Sequence, residues 1–274
     1  MAATSAVAGL VGRRREAVRR TAGLTRELAW TQFKLKYTGS VLGYLWSLLK
    51  PMMLFGVMYA IFVGVFKQTQ QDFGMQLLVG IVMYTFFTDC VGAGMGSIAA
   101  NGNLIRKAFF PRAVLVVASS LTAAMTFVIN LTLIIVIATP LGLLHVGLRT
   151  LAVLPLIAEV YAVALGLSLL LSALFVFYRD LGHIWEIFSQ VLFYGSAVVY
   201  PASRVPVGWR GIVFLNPLAQ IIEDVRHAMV IPDAPWSYSL IGIRFLAPVA
   251  LCVLVLFGGT WVFRRLTPSF AEAL

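Results

Sequence analysis

The chain has 274 residues, 60% hydrophobic and 12% charged, with a mean hydropathy of +0.91. Soluble domains carry about 25% charged residues, so a water-soluble enzyme or binding module is excluded and a chain threaded through a bilayer is expected. The net charge of +10 would suit nucleic acid, but the basic residues crowd one end and flank apolar runs, so they read as orientation signals and no nucleic-acid partner is expected.

Residues 1–23 form a basic tail. A weakly apolar start, Ala2 to Val11, precedes Arg13, Arg14, Arg15, Arg19 and Arg20. That order is the reverse of a secretory signal, so none is expected. Residues 24–274 are expected to form one transmembrane domain. Its first part, 24–45, places Trp30, Phe33, Tyr37 and Val41 at helical spacing, with Arg26, Lys34 and Lys36 among them. This pattern predicts an amphipathic helix lying on the inner membrane surface.

A crossing helix needs roughly 20 mostly apolar residues. Six stretches qualify: 48–66, with Pro51 tolerable near its first turn, then 76–97, 114–138, 151–177, 184–200 and 245–263. The fold class is therefore all-α and polytopic. The stretch 184–200 is the shortest and holds Glu186, and Lys50 stands at the edge of the first span. Between the second and third spans lies a short basic, aromatic loop. Between the fifth and sixth lie five prolines and an uncharged run, Gly211 to Ile222, broken by Pro217. That run is too short to cross, so it forms either a re-entrant hairpin or a hydrophobic loop packed on the bundle. With the N-terminus inside, fifteen of the 21 Lys and Arg fall on the inner side and six outside, which predicts two cytoplasmic termini.

The residues carry little reactive chemistry. His145, His183 and His227 are scattered, Cys90 and Cys252 lie in apolar runs, and neither a His-Glu-x-x-His pattern nor a Gly-x-Ser-x-Gly elbow is present. No catalytic centre and no metal site are expected. A P-loop needs Gly-Lys followed by Ser or Thr, and none of Lys34, Lys36, Lys50, Lys67 and Lys107 follows a glycine. The chain thus binds no nucleotide through that motif. Asp89, Glu159 and Glu186 interrupt apolar helices, where a carboxylate is expensive and is a functional candidate by default. For Asp89, proton coupling, substrate contact and a hydrogen-bonded bridge between helices all stay open. Glu186, beside His183, fits the headgroup level. Glu223, Asp224, Arg226 and His227 behind Asn216-Pro217 fit a capped, ion-paired short helix better than a catalytic cluster. Gly92 and Gly96 have small-xxx-small spacing and mark a packing face. The aromatics Tyr44, Tyr59, Tyr84, Phe87, Tyr194 and Tyr200 are candidates for a passage that stacks on the apolar faces of sugars.

Four stretches in order carry a family likeness. They are YTGSVLGYLWSLLKPMMLFGVMYAIF from Tyr37, NLIRKAFFPRAVL from Asn103, YRDLGHIWEIFSQVLFYGSAVVYP from Tyr178, and NPLAQIIEDVRHAMV from Asn216. Together they resemble the membrane subunits of ABC-2 type polysaccharide exporters. The resemblance implies two copies of this chain working with two copies of a separate ATPase, which binds ATP and Mg. It implies an ATPase-coupling surface built from Asn103, Leu104, Arg106, Lys107, Phe109, Phe110, Pro111 and Arg112, with Trp30, Lys34 and Tyr37 from the interface helix. It implies a gate of short outer helices containing Asn216, Pro217, Glu223 and Arg226. The expected cargo is a glycan on a polyprenyl diphosphate carrier, such as O-antigen, capsule, teichoic acid or galactan. The expected location is the bacterial cytoplasmic membrane. Alternatives are an ABC-2 exporter of a drug or small lipid and a proton-coupled transporter using Asp89.

Overall fold

A computed structural model describes residues 2–40, 42–69, 72–107, 110–231 and 236–273. Helices joined by turns and loops make up the fold, with no strand among these residues. Helix α1, Ala2–Tyr37, runs without a break across the expected boundary at residue 23. It stops earlier than the expected 45, because Gly39 takes φ +80 just past its end, the left-handed stop that glycine makes without strain. The chain then turns back, so Tyr44 lies beyond the helix and its ring sits 4.4 Å from Tyr37 and 5.3 Å from Phe33.

Five segments are long and apolar enough to cross a bilayer: Leu45–Val65, Phe73–Ala100, Ala113–Ala138, Leu148–Phe175 and Ser237–Ser269. The first contains α2, Leu45–Tyr59, and a π-helical turn, Ala60–Val65. Helix α3, Phe73–Ala100, is the axis of the bundle and is buried along most of its length. Past the short α4, Gly102–Lys107, helices α5, Ala113–Ala138, and α6, Val153–Phe175, pack on it.

Small residues set the closest approaches. A Cβ on Gly94 would lie 2.5 Å from the Ser168 side chain, and the Ser168 hydroxyl donates to the Cys90 carbonyl at 3.2 Å. A Cβ on either Gly92 or Gly96, the expected packing pair, would meet nothing within 4 Å in the described chain. The seam runs two residues away from each, through Gly94. On its other side α6 meets α11, Leu246–Leu266, backbone to backbone: a Cβ on Gly259 would stand 2.0 Å from the Gly166 carbonyl. Lipid tails offer no hydrophobic drive for two helices to associate, so such close contact is what joins them.

The expected span 184–200 is corrected. Helix α7 covers Leu181–Gly195, 15 residues, and falls short of a bilayer's thickness. It ends because Ala197 takes φ +54 and the carbonyls that would continue the helix are bonded elsewhere, as described below. It is followed by α8, Val207–Val213, and by α9, Pro217–Met229, which packs on α6 and α3. Helix α10, Ser237–Ile241, leads into the last long segment, and α12, Phe270–Ala273, follows it.

Candidate functional site

The two ends of the bundle carry different chemistry. At one end α1 lies on α5. Ala29 and Phe33 are buried there, Thr122 donates to the Ala29 carbonyl at 3.2 Å, and the Tyr37 hydroxyl lies 3.1 Å from that of Thr126. This leaves Trp30 about half exposed, with Lys34 beside its ring at 5.2 Å. The α3–α5 loop is at the same end. Asn103, Leu104, Arg106, Lys107 and Pro111 face outward from it, whereas Ile105 anchors α4 in a small core with Leu115, Phe263 and Phe270.

Phe110 is half-buried against that core, and Arg112 donates to the Thr267 carbonyl with its guanidinium 5.8 Å from the Phe270 ring. Both therefore tie the loop to the chain's C-terminal turn, a role that neighbouring charges and aromatics in the sequence did not reveal. Phe109 lies outside the described residues.

At the other end α9 is buried along its whole length, charged residues included. Asn216 caps it: the side-chain oxygen accepts from Leu218 N at 3.0 Å, and Pro217 occupies the first turn, where its missing N–H costs nothing. The Asn216 amide donates to the Gly195 carbonyl and to Ser196, fastening α9 to the end of α7.

Arg226 makes the densest set of contacts in the described chain. It donates to the carbonyls of Gln76 (3.0 Å), Ala197 (2.9 Å), Val198 (2.6 Å) and Tyr200 (3.1 Å), and pairs with Glu223 at 3.3 Å. The guanidinium supplies the donors that the helix amides would have supplied, which is how an irregular turn can be buried at all. Gly80 leaves it room, since a Cβ there would lie 2.8 Å from the guanidinium. Burial pulls the Arg226 pKa down, and Glu223 opposes this. Asp224, beside it, accepts from Ser237 N and Oγ at 2.7 Å each; burial pushes its carboxyl above the ordinary range against those bonds.

The candidate passage residues divide. Tyr44, Tyr59 and Tyr194 are exposed, and the half-buried Tyr200 donates to the Tyr194 carbonyl at 3.0 Å. Tyr84 and Phe87 are buried inside the subunit, where they join α3 to α7: Tyr84 donates to the Ser189 carbonyl and lies 5.1 Å from Phe193, and Phe87 lies 6.0 Å from Trp185. Their rings face protein, so they line no open surface in this chain. The three intramembrane acids also separate. Asp89 bridges α3 to α2 through Lys50 at 3.3 Å, Glu186 pairs with His183 at the surface, and Glu159 meets Cys252. Lys50, which the sequence marks only as a span edge, opens onto a cleft of about 710 Å³.

The chain is also similar to known proteins. The chain is 27% identical over 242 residues to an O-antigen export system permease protein of Klebsiella pneumoniae, covering 88% of this chain and 91% of that protein. It is 28% identical over 260 residues to one of Myxococcus xanthus, covering 92% and 95%. A polysialic acid transport protein of Escherichia coli is 22% identical over 191 residues, covering 69% and 74%. The model of the ABC-2 type transporter family matches residues 24–230, from the middle of α1 to the end of α9. The chain belongs to the ABC-2 type transporter family.

Proposed function

We propose that this chain is the membrane-spanning subunit of an ATP-driven exporter that moves a lipid-linked polysaccharide across the bacterial cytoplasmic membrane. What carries the reading is likeness to O-antigen export permeases over about nine tenths of both chains. The outward-facing basic patch at one end and the buried, latched α9 at the other are what such a machine needs. A motor engages the first; the second holds the outer mouth in shape.

In this reading two copies assemble with two ATPase subunits that carry ATP and Mg. Both termini are cytoplasmic, α7 and the turn after it make a sixth crossing, and α9 is a short re-entrant gate helix on the outer side. Arg106 and Lys107 meet the ATPase, with Trp30 and Lys34 beside them. Tyr44, Tyr59, Tyr194 and Tyr200 remain the aromatic candidates along the passage, and Asn216, Pro217, Glu223 and Arg226 set the geometry of the gate. A proton-coupled mechanism through Asp89 is disfavoured because Asp89 is paired with Lys50 in an open cleft rather than sealed along a proton path. Deleting the gene is expected to stop surface display of the glycan while its lipid-linked form accumulates inside, as read by mass analysis of the lipid extract. Normal display in the deletion strain would refute the assignment.

A further inference from the structure

The cleft of about 710 Å³ is walled by α1, the turn after it, α2, α3 and α5. A hollow among membrane helices is ordinarily apolar. This one carries Lys36 from α1, Lys50 from α2, Asp89 from α3 and a set of hydroxyls that includes Ser40, Ser47 and Thr88. Its space persists because Gly92 and Ala93, one turn beyond Asp89, are too small to fill it, and a Cβ on Gly92 would still meet nothing within 4 Å.

The Lys50–Asp89 pair is open to the cleft, with 73% and 36% of the two side chains exposed. A pair so placed is weakly held and easily exchanged. Among the described residues no carboxylate pairs with Lys36. Trp46 borders the cleft and is 54% exposed, and exposed tryptophans at helix ends sit at the level of lipid headgroups. Two lysines and a group of hydroxyls around a space at that depth suit one chemistry: a phosphate carried by a lipid.

We infer that this cleft receives the phosphate-bearing headgroup of an inner-leaflet lipid between Lys36 and Lys50, with Lys50 exchanging Asp89 for the phosphate as the headgroup enters. Asp89 is then a competitor for Lys50. It holds the ammonium in place while the cleft is empty and disfavours weakly charged occupants. This gives the acid of α3 a purpose that proton coupling does not. The inference rests on the inner-side placement of α1 proposed above. It is tested by binding, so loss of the export reading would leave the result intact.

The full chain in phosphatidylcholine nanodiscs is titrated with farnesyl diphosphate in a calorimeter. Lys36→Gln and Lys50→Gln are each expected to weaken binding about tenfold, the loss of one charge-assisted contact. Asp89→Asn is expected to tighten it several-fold. A purely structural ion pair predicts the opposite sign for Asp89→Asn, and a gain in affinity cannot come from misfolding. Full competition by phosphatidylglycerol added to the nanodisc would support the inference with bulk lipid as the source. Its absence would support it with an isoprenoid diphosphate as the source. Equal affinity for inorganic pyrophosphate, no change in the lysine variants, or unchanged or weaker binding by Asp89→Asn would each overturn it.

Discussion

Arg226→Met is expected to cost about 3–5 kcal/mol of stability, the size of effect seen when one partner of a buried ion pair is removed. Methionine fills similar space and donates nothing. The carbonyls of Gln76, Ala197, Val198 and Tyr200 lose their shared donor, and Glu223 is left buried without its partner. The loss should appear as a lowered unfolding temperature in detergent and as faster amide exchange over residues 196–230. Adding Glu223→Gln should restore part of it, because the stranded charge is removed, whereas two independent sites would show additive losses. An Arg226→Met protein with unchanged exchange over 196–230 would show that the outer hairpin is held by apolar packing alone.

The second large effect is on coupling. Arg106→Glu with Lys107→Glu is expected to abolish export while leaving membrane insertion and unfolding temperature unchanged. Both side chains are exposed at the end of α4, so reversing them removes nothing from the core, and surface charges away from such features usually contribute little to stability. They are charges a partner would read, and each reversal puts repulsion where attraction was. Co-purification with the ATPase should fall with export. Alanines at Phe109 and Phe110 are a less clean probe, because Phe110 packs on the core that ties the loop to Phe263 and Phe270. Wild-type export by the double charge reversal would remove this patch from the motor interface.

Much of the architecture was legible in the sequence. Runs of apolar residues placed α2, α3, α5, α6 and α11 within a few residues, since length and hydropathy decide who enters a bilayer. The capped α9 was visible too, in Asn216-Pro217 and the charges after it. What escaped had its cause far away in the chain. The end of α7 at Gly195 depends on Arg226 taking carbonyls some thirty residues upstream, and apolarity from Ser196 to Tyr200 looks the same whether those carbonyls point along a helix or at a guanidinium.

Within the site, the same limit applies. Arg106 and Arg112 look alike in one basic loop, yet the first is exposed and the second is bonded to Thr267. Mid-span tyrosines look alike as well, yet Tyr59 is open and Tyr84 is enclosed. Spacing told which residues share a helix, not which face another helix covers. The pairing of Asp89 with Lys50 across two helices belongs to the same class of fact, and it moved a candidate proton carrier to the wall of a cleft.

In the proposed function the chain is a passive membrane body, and nucleotide turnover in a separate protein drives it. The decisive measurement reconstitutes the purified chain in liposomes, with and without its ATPase partner, and follows a fluorescent lipid-linked glycan across the bilayer. No net movement is expected by the chain alone, and movement is expected with the partner and MgATP that persists after the proton gradient is collapsed. Uphill movement by the chain alone, driven by a gradient, would contradict it.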